Sequence, residues 1–470
     1  MLLKNIPAMR NRLYPLLLAL LIPHAGFAQY TKFAADAVKA DFEALYPALQ
    51  QTHYNLYAYT DRTTYDAHFR QLKERIKGDS LSYIETVSLF QHLVSLANTG
   101  HCEIDFPAKG YIEYAYTGGK LFPLELALEA GKAFVRKNFS DNTQIAAGDE
   151  VLAVDGVPVD RIIRKMYPLV SAEREYFKKV KIEFWSFPRL LFQLEGKKES
   201  WNITLKKATT AQQVSLKGIS VMQYEEQRKG EILNPVRQFR FYGKTAYLNP
   251  GLMNSLEPSD EAGFRSFADS AFAVLQQQNA QNLVVDLRNN PGGHDSYSDY
   301  LVRYFATQPF HWSSNFRIKI SKQLQDQTRK RQDTTDYYTR TILGHRAGSI
   351  VNYELPLQQP FDKGRQFKGR VYVLVNRQTY SMAVVCAALV QDYHFATIVG
   401  EETGDVPTLY ASQFSFDLPR TGITIKVPKG YIIRPNGDER LAGLQPDIVI
   451  KDHLLDDRDE IMEGLLEHLK

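Results

Sequence analysis

Residues 371–400, VYVLVNRQTYSMAVVCAALVQDYHFATIVG, constrain the fold more than any other stretch of this chain. Val371–Val375 is a short apolar run rich in β-branched residues and predicts a buried strand. Ala396–Val399 predicts a second. Between them, an apolar segment starting near Ser381 is long enough for a helix. Strand, polar turn, helix, strand is the repeat of an α/β sheet. The same order puts a serine hydroxyl at a helix N-terminus, where free backbone N–H groups and the positive end of the helix dipole converge. Two readings fit Ser381. It is an N-cap, a preferred use of serine at this position, or a nucleophile in a corner that can hold the oxyanion it creates.

At 470 residues the chain exceeds one compact core, so about two or three domains are expected. Apolar residues make up 44% and charged residues 23%, which excludes wholesale disorder. The first 28 residues read as a secretory signal. Lys4, Arg10 and Arg12 are its basic region, Leu13–Ile22 is an apolar run too short to span a bilayer comfortably, and Gly26-Phe27-Ala28 suits cleavage between Ala28 and Gln29. A periplasmic or secreted protein is expected, with no membrane span after signal removal. Without that segment the formal charge of +4 falls to about +1, which gives no case for a nucleic-acid partner. Cys102 and Cys386 are the only cysteines. They make no disulfide scaffold and no metal-ligand spacing, so neither a metal nor a cofactor is expected, and two free buried thiols are.

Residues 29–105 repeat apolar positions with helical period (Phe33, Val38, Phe42, Leu45, Leu49, then Leu81–Leu96) and predict an N-terminal helical domain, with Gly100 as a helix stop. Residues 110–210 change character. Phe122–Leu128, Lys132–Arg136, Val151–Val154 and Trp201–Leu205 read as strands, with Asp155-Gly156 as a hairpin turn. The Gly148-Asp149 pair, apolar strand and Asp-Gly turn resemble a PDZ domain. Lys179–Gln193 is unusually aromatic and fits either an insertion lining a peptide groove or ordinary core. From 236 to 470 the pattern is α/β, with Thr245–Leu248 and Leu283–Leu287 as strands, Pro258–Gln278 (capped by Ser259) and Ser296–Phe305 as helices, and a polar insertion at 311–369. An insertion of that length fits a lid, and its Lys322–Arg331 stretch fits a solvated surface helix.

A second element accompanies the Ser381 corner. In DLRNNPGG, Asp286–Gly293, a strand breaks into a glycine pair. Such a pair is a tight turn for its own sake, or a place where backbone N–H groups point at a developing negative charge. The run DLRNNPGG, the later TYS-helix-QD and the IVGEETG that follows together resemble the C-terminal processing (tail-specific) serine peptidases and their tricorn relatives. The helical part ending in Gly-His, the PDZ-like part and Gly443–Ile448 fit the same plan. The resemblance implies a ClpP/crotonase-like α/β peptidase core. It implies Ser381 as nucleophile, set by its distance from Asp392 of the Gln-Asp pair. It implies an oxyanion hole from Gly292 or Gly293 together with Met382.

The general base departs from the processing-peptidase branch, whose lysine position falls here on Val406; no lysine occurs between Ser381 and Lys426. The tricorn-like branch implies His101 as base and Glu439 as its orienting carboxylate. An imidazole suits the task because its ordinary pKa is near neutral. That branch also carries a serine where this chain has Gly100, so Thr99 or Asp438 stand as substitutes for Glu439. The expected function is a secreted or periplasmic serine endopeptidase that cleaves peptides or unfolded proteins through an acyl-enzyme on Ser381, with the PDZ-like part binding a substrate C-terminus or gating access. The alternative is a catalytically silent relative that binds peptides or a small apolar ligand. A nucleotide-binding protein is disfavoured, because the glycine turn lacks G-x-G-x-x-G spacing and no P-loop occurs.

Overall fold

Thr245–Asn249, Asn282–Asp286, Arg370–Val375, Thr397–Gly400 and Ile448–Val449 pair in that order as parallel strands, and Gln238–Tyr242 closes one edge antiparallel. The computed structural model describes residues 31–207, 209–229, 233, 236–254, 260–331 and 334–470. The expected signal segment and the Ser259 cap lie outside these residues. Side chains alternate across the sheet, as the pleat requires. Leu283, Val285, Val371, Val373 and Val375 face a core shared with the helices Asp260–Gln277, Asp295–Val302 and Met382–Asp392. Val284, Tyr372, Leu374 and Val399 face the C-terminal helix Glu460–His468. Both faces are covered, which is why these strands read as unbroken apolar runs.

The 311–369 interval is not a detached insertion. Asn315–Lys319 and Ile350–Asn352 are strands of a second, antiparallel sheet completed by Leu409–Asp417 and Thr424–Ile433. The expected surface helix runs Lys322–Thr328 and buries Leu324, Gln325 and Thr328, so it is only partly solvated.

Three α-helices, Ala35–Thr52, Arg62–Lys73 and Tyr83–Val94, form the N-terminal part. Ser82 and Glu85 make a capping box at the third. The chain then leaves helix at Asn98, which takes the left-handed conformation (φ 46°), and not at Gly100 as the sequence suggests. These helices share one core with Ile425 and Val427 of the second sheet and with Ile423 just before that strand. Each fully buried Leu, Val or Phe there contributes about 1.5–3 kcal/mol.

In the middle part, Leu124–Glu129, Lys132–Asn138, Glu150–Val154, Ser200–Lys207 and Thr210–Lys217 form an antiparallel sheet in that order. Asp155 (φ 49°) and Gly156 (φ 75°) make the expected hairpin turn. The sheet continues beyond residue 210, because Thr210–Lys217 pairs along the whole of Ser200–Lys207. The aromatic stretch 179–193 is helical, within Glu175–Trp185 and Phe187–Glu195, and it buries Ile182, Phe187, Leu190 and Phe192 in the local core. The ordinary-core reading is therefore the correct one for most of it. Among the described residues no helix is long and apolar enough to cross a membrane.

Cys102 and Cys386 are both free and buried, in different hydrophobic cores. Thiol titration of denatured, unreduced protein should count two reactive thiols, and a count of zero in a monomer would contradict this arrangement.

Candidate active site

The strand Arg370–Val375 ends in a loop whose polar side chains stitch it to the glycine turn. Thr379 donates to the Leu287 carbonyl (2.9 Å), Asn376 donates to Asn289 Oδ1 (2.9 Å), and the Tyr380 N–H donates to the Asn290 carbonyl (3.0 Å). Gly292 lies so close that a Cβ there would meet Met382 N at 2.5 Å and Ser381 Cβ at 2.9 Å. A glycine is required at this contact.

Ser381 starts the helix Met382–Asp392 at φ 55° and ψ −127°, a region that non-glycine residues rarely occupy and that costs about 1–3 kcal/mol. Its side chain makes no capping hydrogen bond. The hydroxyl instead meets His101 Nε2 at 3.0 Å. Of the two uses open to Ser381, capping is thus ruled out by the geometry. The Ser381 N–H is held by Asp405 Oδ2 at 2.8 Å.

His101 is 3% exposed. Its ring stacks on Tyr380 with centroids 4.8 Å apart and an interplanar angle of 13°. The preceding residue is clamped on both sides: the Gly100 N–H donates to Glu173 Oε1 (2.7 Å), while its carbonyl accepts from Lys181 Nζ (2.6 Å) and the Tyr380 hydroxyl (3.0 Å). A Cβ at residue 100 would lie 2.8 Å from the Phe177 ring, so the serine of the tricorn-like pattern has no room here. Burial, reinforced by the Lys181 charge, lowers His101 to about 3 and keeps the imidazole neutral at ordinary pH.

The structure does not bring Glu439 to His101. Its carboxylate accepts from the Tyr431 hydroxyl at 2.8 Å. The substitutes fail too: Thr99 pairs with His53 Nε2 (3.0 Å), and Asp438 pairs with Arg440 (2.7 Å). His101 Nδ1 is buried without a partner among the described residues. Gly292 is also corrected as an oxyanion donor, because its N–H is taken by Asn290 Oδ1 at 2.9 Å. The N–H groups of Gly293 and Met382 have no acceptor among the described residues and remain for that role. No lysine bonds Ser381 among the described residues: Lys426 pairs with Asp105 at 2.7 Å, and Lys429 bonds Ser412.

Sequence reasoning missed Glu173, Lys181, Asp405 and Lys429. None of them stands in a motif that local spacing singles out, and only Tyr380 was visible, as part of TYS. Ser381, His101, Gly293 and Met382 open onto a cavity of about 740 Å³ whose apolar wall includes Trp312, Phe316, Val385, Leu409 and Ile432.

A half-buried serine and a buried histidine at a strained strand-to-helix corner, beside two unused backbone N–H groups, are the layout of a serine hydrolase site. Residues 253–450 match the model of peptidase family S41. His101 lies outside the matched residues. The chain is 25% identical over 197 residues to a tail-specific protease of Haemophilus influenzae, covering 41% of this chain and 23% of that protein. It is 26% identical over 186 residues to a carboxyl-terminal-processing protease of Synechocystis sp., covering 39% and 34%. The match thus spans only 23% and 34% of the length of these relatives. The crystal structure of mature CPAF superposes with a TM-score of 0.62 over 93% of this chain and 96% of that one, at 16% identity, a likeness of fold.

The lowered His101 pKa has a sign that can be tested. The folded state resists protonation, so the stability due to neutral burial is complete above the ordinary value of 6.5 and is lost as pH falls from there toward about 3. NMR titration should find the His101 ring neutral at pH 5. His101→Gln should remove about one proton from the pH-dependence of unfolding in that window.

Proposed function

We propose that this protein is a serine endopeptidase in which Ser381 is the nucleophile and His101 the general base. The 3.0 Å contact between Ser381 Oγ and His101 Nε2 carries the reading. A serine hydroxyl is a weak nucleophile until a base takes its proton, and a neutral imidazole can do so. His101 Nε2 accepts the proton as Oγ attacks the peptide carbonyl. The oxyanion that forms accepts hydrogen bonds from the N–H groups of Gly293 and Met382. His101 returns the proton to the leaving amine, and water hydrolyses the acyl-enzyme by the same route. With Nδ1 unpartnered, the stacked Tyr380 face and the clamp on Gly100 are what orient the ring and support the transient imidazolium.

Peptides or unfolded proteins are the proposed substrate class; the relatives are named as proteases, which supports a protein substrate. The middle sheet with its Asp155-Gly156 hairpin is PDZ-like and supplies a site for a substrate C-terminus. The basic, apolar start of the chain supports a secreted or periplasmic location. One observation favours the second reading, a catalytically silent peptide-binding relative: the missing partner of His101 Nδ1.

A fluorophosphonate probe should label the wild-type protein at Ser381 and leave Ser381→Ala unlabelled; no labelling would favour the silent relative. Ser381→Ala should abolish peptide hydrolysis, since it removes the attacking atom while the fold loses no cap. His101→Ala should lower kcat/KM by about 10³–10⁴. Glu439→Ala should stay within about threefold of wild type, and Lys426→Ala likewise, because their partners are surface groups away from the pair. A severe Lys426→Ala defect with a mild His101→Ala defect would restore a lysine mechanism.

A further inference from the structure

Lys429 stands on the strand Thr424–Ile433 in the wall of the Ser381 cavity, and it is 7% exposed. Its Nζ donates to the Ser412 carbonyl (2.9 Å) and to Ser412 Oγ (2.8 Å), with the Gln413 carbonyl at 3.5 Å. All three acceptors are neutral. Among the described residues no carboxylate forms an ion pair with it; Asp295 lines the same cavity and does not reach it. Burial alone lowers the ammonium to about 8, which still leaves it mostly charged at neutral pH.

This is an expensive arrangement. Burying an ammonium costs several kcal/mol, and neutral acceptors compensate only part of it. Ser412 adds strain, since it sits at φ 56° and turns its carbonyl and hydroxyl onto the same Nζ. A leucine or methionine would fill this position at lower cost if only packing mattered. The neighbouring cavity wall is partly apolar (Trp312, Phe316, Leu409, Ile432), and Trp312 Nε1 is buried there without a partner among the described residues. Arg331 lies 5.2 Å and Lys429 5.6 Å from the Tyr338 ring, and of the two Arg331 also pairs with Asp336 at 3.9 Å, which leaves Lys429 as the cation without a carboxylate partner there among the described residues.

We infer that Lys429 selects substrates by receiving a carboxylate in the cavity while Ser381 faces the amide bond. The inference rests on the peptidase reading and adds a substrate class to it. The carboxylate has two possible sources, a Glu or Asp side chain close to the scissile bond or a free C-terminus within a few residues of it.

The test is binding to the full-length Ser381→Ala protein, which needs no turnover. Fluorescent heptapeptides are compared by anisotropy, with Glu or Gln at each position in turn, and each as free acid or C-terminal amide. Peptides carrying the recognised carboxylate should bind about tenfold more tightly than their amide counterparts. A Glu/Gln difference assigns the side chain as the source, and an acid/amide difference assigns the terminus. In Ser381→Ala/Lys429→Met the difference should vanish, and Lys429→Arg should keep part of it. A contribution from the PDZ-like part would survive Lys429→Met and would therefore count against this inference. Equal Kd across the panel, or no peptide binding, overturns it even if Lys429→Met fails to fold. Failure of the peptidase reading looks different: it appears as absent serine labelling in the wild-type protein.

Discussion

The 3.0 Å contact between His101 and Ser381 joins residues 280 positions apart, and the surrounding structure is arranged to keep it. Neither partner is held by its own local element alone. His101 follows a turn that ends the N-terminal helices, and its ring stacks on Tyr380, the neighbour of Ser381. The Tyr380 hydroxyl reaches back to the Gly100 carbonyl, so the nucleophile's loop and the base's loop position each other. The middle part adds Glu173 and Lys181, one on each side of the Gly100 peptide. All three parts of the chain therefore meet at one residue pair.

The same convergence explains two unusual costs. Ser381 occupies a strained backbone region, and Gly292 approaches it within a distance no side chain would allow. Strain of about 1–3 kcal/mol persists only where the surroundings over-determine the conformation. They do so here: the helix after Ser381 is buried from Ala383 through Val390, and Asp405 holds the Ser381 N–H. Arg377, in the loop before Ser381, is buried in an ion cluster with Glu401 (3.1 Å), Glu183 (3.6 Å) and Glu129, the last two from the middle part. Removing one member of such a cluster leaves an uncompensated buried charge, which costs about 3–5 kcal/mol. The corner is thus rigid for reasons that lie outside it.

Much of this was legible in the sequence, and the limits have physical causes. The strands Asn282–Asp286 and Arg370–Val375 were visible because both faces of a covered parallel sheet demand apolar residues. The Asp155-Gly156 hairpin was visible because positive φ at both positions restricts residue choice. Glu439 was misplaced because a carboxylate in a polar turn has no local marker of its partner, and Tyr431 took it. Gly292 was half right. Its lack of a side chain matters, yet its N–H is spent on Asn290, a hydrogen bond that only the folded turn defines.

By itself the sequence determined the elements and their order, because hydrophobic period, β-branched runs and turn residues act over a few neighbours. It also determined the glycine pair and the serine at a helix start. Tertiary structure alone decided that Ser381 points at a histidine and caps nothing, and that His101 is neutral because it is buried. It decided that the histidine's second nitrogen stands unpartnered and that Lys429 lies in the same cavity. Each of these depends on which distant surfaces pack together, and packing between segments hundreds of residues apart leaves no periodic trace in the chain.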